Sequence, residues 1–476
     1  MNAGLLRPIH LPLLFMFSLS LIFMGCQASD HANMQWESNV FKHRLTEVRD
    51  GGLASDSQRV TTEMVVDDGS MQALVELALA NNPEIKAGRL RVERLSERPA
   101  QAVALDDPMA ALTVGELAQT AAGQVDYIVS LTQALPYPGT LDARKTVAEQ
   151  EVLTASAELL DVMERVAVEV RRVYWRRYAV ARAIEVTDQD RKVLQQISET
   201  IDARARVGEA EQADQLRISL RLADLDQQLD RLKQQQRSLD VMTNRLLNRQ
   251  TDASLRAPAA VGWKPVEVDR ETLIQQAEQN NPAVIVQRRR VEGFRQRFKL
   301  AKVERRPDFR FGVQYAAVGS DGIAGSANGD DQFAVTGAVS IPLNADKYDA
   351  KEREAFRGIG EAMMGLDAAQ GRAANLADDA LARIAAEQSI LNRLNKQMLP
   401  ESQRAFELAL TGYSAGKVSF IQMMDDWQRT LDLELAAHRA QARYEQARAD
   451  LAAALGDVSG RVPELRQNLS GDSDNE

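Results

Sequence analysis

The sequence predicts a mainly α-helical protein with a small β part, arranged as a tandem repeat of helix, strand, strand, long helix and long helix. Three observations carry this reading. Aromatics make up only 5% of the 476 residues, while Ala, Leu, Gln, Glu and Arg fill long stretches, a bias toward helix and coiled coil. Segments of the first half return in the second. Four short runs alternate apolar and polar residues with period two, as strands with one apolar face do.

The repeat is visible in three places. ALANNPEI (78–85) returns as AEQNNPAV (277–284), each ending a short helix and opening a new one after the proline. VSLTQALPYPG (129–139) returns as TGAVSIPLNAD (336–346), a strand-like run that ends in proline and leads into a helix. RARVGEAEQ (204–212) returns as GYSAGKVSF (412–420), which places Gly208 over Gly416.

The first thirty residues carry an export signal. Arg7 gives a positive start, and LPLLFMFSLSLIFMG (11–25) is an apolar run of about 15 residues, short for a membrane span and suited to a signal peptide. It ends at Gly25-Cys26, and Cys26 is the only cysteine, so no disulfide can form within one chain. A cysteine after a small residue at this point resembles a bacterial lipoprotein cleavage site, which makes Cys26 the expected lipidation site. Ordinary signal cleavage nearby is the alternative. Gln27 rather than Asp after such a cysteine implies sorting to the outer membrane. No later segment is apolar enough for a transmembrane helix.

The strands are expected near 108–115, 124–133, 308–318 and 331–341. Phe309, Phe311, Val313 and Tyr315 alternate with Asp308, Arg310, Gly312 and Gln314; Phe333, Val335, Val339 and Ile341 alternate with polar residues. Val125, Tyr127, Val129 and Leu131 are expected on one face, and Leu112 and Val114 mark the weakest run. The connection 319–331 is rich in Gly, Ser and Asp and reads as a solvated hairpin tip, without calcium-loop spacing. Four strands suit half a sandwich or part of a barrel. Single-chain bacterial barrels start at about 8 strands, and an open edge is not tolerated in lipid. If these strands span a membrane, several protomers must pool them.

The helices are long. One pattern runs from Asp142 to about Val207 and another from Asp346 to about Ala415, each about 100 Å if straight; Pro400 is expected to kink the second. The return helices carry seams, Ile218, Leu222, Leu225, Leu229, Leu232 and Leu239 in one, Ile421, Met424, Trp427, Leu431 and Leu435 in the other. Such spacing predicts left-handed coiled-coil packing.

Candidate chemistry is sparse. The net charge of −10 argues against nucleic acid, and Arg171-Arg172 and Arg288-Arg289-Arg290 read as solvated helix faces. Gly412-Tyr-Ser-Ala-Gly416 matches the G-x-S-x-G elbow of hydrolases, but an elbow needs a preceding strand and a later acid and histidine. Residues 401–412 read as helix, His438 lies about 16 Å of helical rise beyond the turn, and His31 and His43 lie far upstream. The repeat keeps the glycine and replaces Ser414 with Arg206, so Ser414 is not expected to be catalytic. One Cys and four His give no zinc set, no nucleotide loop occurs, and Met423-Met424 reads as packing rather than a metal site. No enzyme activity, cofactor or metal is expected.

Together the doubled NNP opening, paired strands, Pro136 and Pro342 after them, the hairpin tips and above all YSAGKVSFIQMMD (413–425) resemble the TolC family of outer-membrane channel-tunnels. The resemblance covers about Gln72 to Gly456. It implies a homotrimer with a 12-stranded outer-membrane β-barrel continued by a coiled-coil periplasmic tunnel. It further implies a signal peptide over 1–25, a lipidated extended segment over 26–70, repeats over 71–250 and 271–457 joined by an equatorial linker over 251–270, and a flexible tail over 458–476. Tyr127, Val129, Leu131, Phe309, Phe311, Tyr315, Phe333 and Val335 would then face lipid. Arg206, Val207, Gly208, Glu209, Ala415, Gly416, Lys417 and Val418 would form tips that dock a periplasmic adaptor protein. Asp425 and Gln422 take the positions of the pore constriction, with Gln422 removing half its usual charge.

The function implied is passive conduction across the outer membrane of substrates delivered by an inner-membrane pump, most naturally of RND type. Type I protein secretion is the alternative setting. The GKVSF tip looks somewhat like the heavy-metal-exporter branch. A periplasmic adaptor lipoprotein, the reading from another class, would show one hairpin and a lipoyl-like domain rather than two hairpins and two strand pairs.

Overall fold

The computed structural model describes residues 69–114, 119–120, 122–206, 211–259, 269–319 and 329–457. Cys26, the expected signal peptide, His31, His43, Val207, Gly208, Glu209 and the 458–476 tail lie outside them, as does most of the 319–331 connection. The first half runs α1 (Met71–Asn81), α2 (Pro83–Ser96), α3 (Arg98–Ala102), β1 (Met109–Val114), β2 (Gln119–Thr120), β3 (Gly123–Leu135), α4 (Thr140–Arg206) and α5 (Gln212–Leu246). The second runs α6 (Arg270–Asn280), α7 (Pro282–Val303), β4 (Phe309–Gly319), β5 (Gln332–Val339), α8 (Ala345–Arg393), a π-helical turn (Leu394–Met398), α9 (Leu399–Ser414) and α10 (Phe420–Ala454).

The repeated Asn-Pro is a structural joint. Asn82 and Asn281 are extended residues between two helices, and each is followed by proline at the first position of the next helix, where a missing N–H costs nothing. The Asn82 side-chain oxygen accepts from the Glu84 N–H and that of Asn281 from the Ala283 N–H, capping α2 and α7. Their amide nitrogens donate to Leu246 O and Ala454 O, both at 3.1 Å. Each asparagine therefore ties the start of a repeat to the last turn of its own return helix. Those last turns close alike: Asn248 (φ 54°) and Gly456 (φ 72°) are left-handed, and Arg249 N donates to Asn244 O as Asp457 N does to Ala452 O.

α4, at 67 residues, is the backbone of the molecule. It packs against α1, α2, α3, α5, α7 and α10, while α8 packs against α6, α7 and α10, and α9 against α10. α8 meets α10 through a seam of small residues: Ala369, Ala373, Ala377 and Ala380 pack with Ala440, Ala447, Leu451 and Tyr444. Alanine keeps helix propensity while letting the axes approach. The lower cluster joins Leu194, Ile197, Ile201, Ile218 and Leu225 to Phe420, Met423, Trp427, Leu431 and Leu435.

The structure overturns two expectations here and refines others. Ile421 is 52% exposed, and Phe420 and Met423 hold the first turn of the seam in its place, while Trp427, Leu431 and Leu435 lie in it as expected. Met424, expected in the seam, is half-buried and packs against that cluster. Arg171 is no solvated residue: it is 2% exposed and faces Glu164 at 3.8 Å, and burial lowers its pKa. Arg172 fits the solvated reading better, although it bonds Asp450 at 2.6 Å. The disturbance at Pro400 takes the form of a π turn directly before it. Proline has no N–H for the Lys396 carbonyl and would clash with it, and a widened turn relieves both problems.

Prediction from the joints: Asn82→Ala and Asn281→Ala each remove a cap and leave a carbonyl unpaired, so each should lower unfolding free energy by about 1–3 kcal/mol. Asp at the same positions keeps the cap acceptor and loses only the donor, and should fall between. Denaturant unfolding followed by circular dichroism checks the order.

Candidate functional site

Strands β1, β3, β4 and β5 form one antiparallel sheet in the order β1-β3-β4-β5, with the short β2 paired to β3. Register assigns its faces. Leu112, Val129, Tyr315 and Phe333 form one cross-strand row, and Ala110, Leu131, Val313 and Val335 the next. Val114, Tyr127 and Ala317 continue the same face at one end, Gln133, Phe311 and Gly337 toward the other, and Leu135, Phe309 and Val339 at its limit. Paired residues point to the same side of a sheet. The opposite face is small and polar, with rows Ala111, Ser130, Gln314, Ala334 and Met109, Thr132, Gly312, Thr336.

The apolar face is uncovered. Phe333 is 70% and Val335 72% exposed, and Leu112, Val114, Tyr127, Val129, Leu131, Phe311, Val313 and Tyr315 are exposed too. Phe309 is half-buried. An apolar face of this extent marks a surface that another apolar medium covers. The outer edges of β1 and β5 have no strand beside them among the described residues. Val125 departs from the expected face. The register shifts between Val125 and Tyr127, a bulge that turns Val125 to the other side, where it packs with Ala316 and Val318.

At the far end of α9 the elbow-like motif is a helix terminus. Residues 399–414 are helix, and the Ser414 hydroxyl donates to Leu410 O at 2.9 Å within it. Gly416 has φ 71°, the left-handed conformation that favours glycine. Its N–H bonds Tyr413 O at 3.0 Å, and Lys417 N bonds Gly412 O at 2.8 Å, which closes a Schellman turn. A Cβ on Gly412 would meet the Val418 side chain at 2.5 Å. Both glycines thus serve the turn. Ser419 then caps α10 by accepting from Gln422 N. Ala415, Gly416 and Lys417 are exposed, whereas Val418 is half-buried against the lower cluster.

Arg206, the last described residue of α4, is exposed. Two residues earlier, Arg204 donates to Tyr413 O at 3.1 Å and lies 5.3 Å from the centroid of its ring. This contact holds the two hairpin ends together, and sequence reasoning missed it because the pair is 209 residues apart.

Gln422 and Asp425 are exposed, three residues apart on one face of α10. Ile421 and Arg429 are exposed beside them, so a cation follows Asp425 by one turn. Arg429 was not singled out in the sequence. Deeper in the seam, Asp190 on α4 accepts from the indole of Trp427 at 3.1 Å, and Trp427 is 1% exposed. Burial, and then the nearby Glu434 carboxylate, push Asp190 up to about 6.

Among the described residues, then, the chain combines a sheet with an exposed apolar face and two unpaired edges with two pairs of long antiparallel helices. The model of the family "Outer membrane efflux protein" matches residues 74–244 and 273–457. The chain belongs to that family, an efflux rather than an enzyme family. Similar solved structures include the outer membrane protein VceC of Vibrio cholerae, with TM-score 0.67, 17% identity and coverage of 81% of this chain and 96% of that one. A membrane protein of Pseudomonas aeruginosa gives 0.67, 18%, 81% and 90%, and the CmeC outer membrane channel of Campylobacter jejuni 0.67, 14%, 81% and 85%. At these identities the likeness is one of fold. No curated protein sequence matches the chain.

Two predictions follow the geometry. Gly416→Val forces a β-branched residue into the left-handed region, at a cost of about 1–2 kcal/mol, whereas Ser414→Ala should change stability by less than about 0.5 kcal/mol; thermal unfolding of the two variants side by side checks this. Because Asp190 is raised, its contribution to stability is complete below its unfolded value and is lost as pH rises through about 6. Asp190→Asn should therefore gain on wild type as pH rises from about 4 to about 6.5 and hold a constant difference above that; an unchanged difference from about pH 4 to about 6.5 contradicts it.

Proposed function

We propose that this protein is the outer-membrane channel of a tripartite efflux system, a lipid-anchored homotrimer that passively conducts substrates handed over by an inner-membrane pump and a periplasmic adaptor. One observation carries the reading: a four-strand sheet whose apolar face is uncovered and whose two edges are open. Such a sheet is unsuited to water on one face and to lipid at its edges. Both problems vanish when copies join edge to edge and lipid covers the outside. No described helix is long and apolar enough to cross a membrane.

The helices support a head-to-tail ring. In the upper part the packing order is α2, α4, α7, α8; in the lower part it is α5, α4, α10, α9. One side of the protomer is therefore β1, α2 and α5, and the other is β5, α8 and α9. Both sides expose apolar residues: Leu90, Leu216 and Leu220 on the first, Phe356, Met364, Leu376 and Leu408 on the second. Unlike surfaces on opposite sides are what a closed heterologous ring needs. Three copies supply 12 strands, enough for a membrane barrel.

The remaining roles complete the reading. The apolar rows from Tyr127 to Val335 face lipid, and Cys26 carries the anchor. The tip formed by Arg206, Ala415, Gly416 and Lys417, continuous with Val207, Gly208 and Glu209, meets the adaptor; Val418 supports it from beneath. Asp425 rings the narrow end of the pore, with Arg429 forming a second ring of opposite sign one turn away.

Reconstitution in a planar bilayer tests the proposal: stepwise conductance of uniform size is expected, and a protein that never inserts or conducts contradicts it. Asp425→Asn should shift the reversal potential in a salt gradient toward anions; an unshifted value removes Asp425 from the pore.

A further inference from the structure

The two repeats place equivalent arginines on either side of α4. Arg91 and Arg98 lie nine and sixteen positions after the joint Asn82, and Arg290 and Arg297 lie nine and sixteen positions after Asn281. They converge on two glutamates one heptad apart on α4. Glu158 receives Arg91 at 2.7 Å and Arg290 at 3.0 Å. Glu151 receives Arg98 and, at 3.1 Å, Arg297. Each carboxylate is thus shared by two guanidinium groups from opposite helices.

A groove of about 380 Å³ opens along this ladder, lined by Arg91, Arg94, Arg98, Arg290 and Arg297 with Glu151 and the apolar side chains of Leu95 and Phe294. Arg94 is exposed and has no carboxylate partner among the described residues. Five arginines against Glu151 and Glu158 leave an excess of three positive charges, in a chain whose net charge is −10. Four of the five are already oriented by their bonds to glutamate, so little ordering remains to be done when an anion arrives. Arginine forks match tetrahedral oxyanions.

We propose that this groove binds a phosphate-type oxyanion, with Arg94 supplying the free donor and the four clamped arginines the field. The headgroup of an anionic phospholipid is the favoured source. α3 and α7 lead within a few residues into β1 and β4, which places the groove on the stretch leading into the sheet, and Leu95 and Phe294 offer apolar contact beside the charge. The choice of lipid rests on the membrane reading above; the oxyanion site does not.

The test uses the full-length chain solubilised in neutral detergent. Thermal unfolding is followed in chloride, in inorganic phosphate at matched ionic strength, and with phosphatidylglycerol or phosphatidylcholine added. The midpoint should rise with phosphatidylglycerol and not with phosphatidylcholine. Arg94→Glu should weaken the apparent affinity about tenfold, and Arg94→Lys should retain part of it, while both fold normally in chloride. A rise with both phosphate and phosphatidylglycerol assigns a free oxyanion site that also accepts lipid; a rise with the lipid alone assigns the headgroup. No rise with either, or an equal rise in Arg94→Glu, overturns the proposal. Because the phosphate arm needs no bilayer, failure to conduct and failure to bind are separate results.

Discussion

An antiparallel sheet with one apolar face and two open edges satisfies neither water nor lipid as a single copy. Backbone N–H and C=O groups at an edge need partners, and the exposed rows built on Leu112, Val129, Tyr315 and Phe333 need an apolar neighbour. Joining edges in a ring answers the first need and hydrocarbon answers the second. The other features of the fold can be understood as serving that closure. The row of Ser130 and Gln314 lies on the opposite, polar face, which the proposed ring would enclose.

α4 makes this continuity possible. It touches both repeats along its length, through α2 and α5 of its own and through α7 and α10 of the other. In the proposed ring the sheet and the hairpins would then share one boundary between copies from end to end. The asparagine joints hold the two repeats in the same way, each fastening a helix start to the end of a return helix. At the far end the hairpins meet through the lower apolar cluster, and two polar contacts add direction to it: Arg204 with Tyr413, and Asp190 with Trp427.

Much of this was legible in the sequence because it repeats locally. The NNP pair, the alternation of Phe309, Phe311 and Tyr315, and the turn glycine Gly416 each announce a conformation from neighbouring residues. What stayed hidden depends on register or on distant partners. A single bulged residue moves Val125 to the other face, and nothing in its own alternation signals it. In the first turn of α10 Phe420 and Met423 take the place expected of Ile421, because both lie on the same stripe as Trp427, two turns and one turn before it. Arg171 sits in a charged run but is buried, facing Glu164 two helical turns earlier on the same helix. The arginine ladder could have been found from sequence by carrying the repeat alignment past the prolines to positions 91, 98, 290 and 297, yet its glutamates on α4 required the structure.

The central claim is that both sheet edges are paired when the protein is assembled. Hydrogen–deuterium exchange of the full-length protein in lipid nanodiscs measures this directly, at the backbone amides of Met109–Val114 and Gln332–Val339. A closed ring predicts that outward-pointing amides in both strands are protected as strongly as those between β3 and β4. Rapid exchange along either edge, with the β3–β4 pairing intact, would contradict the account.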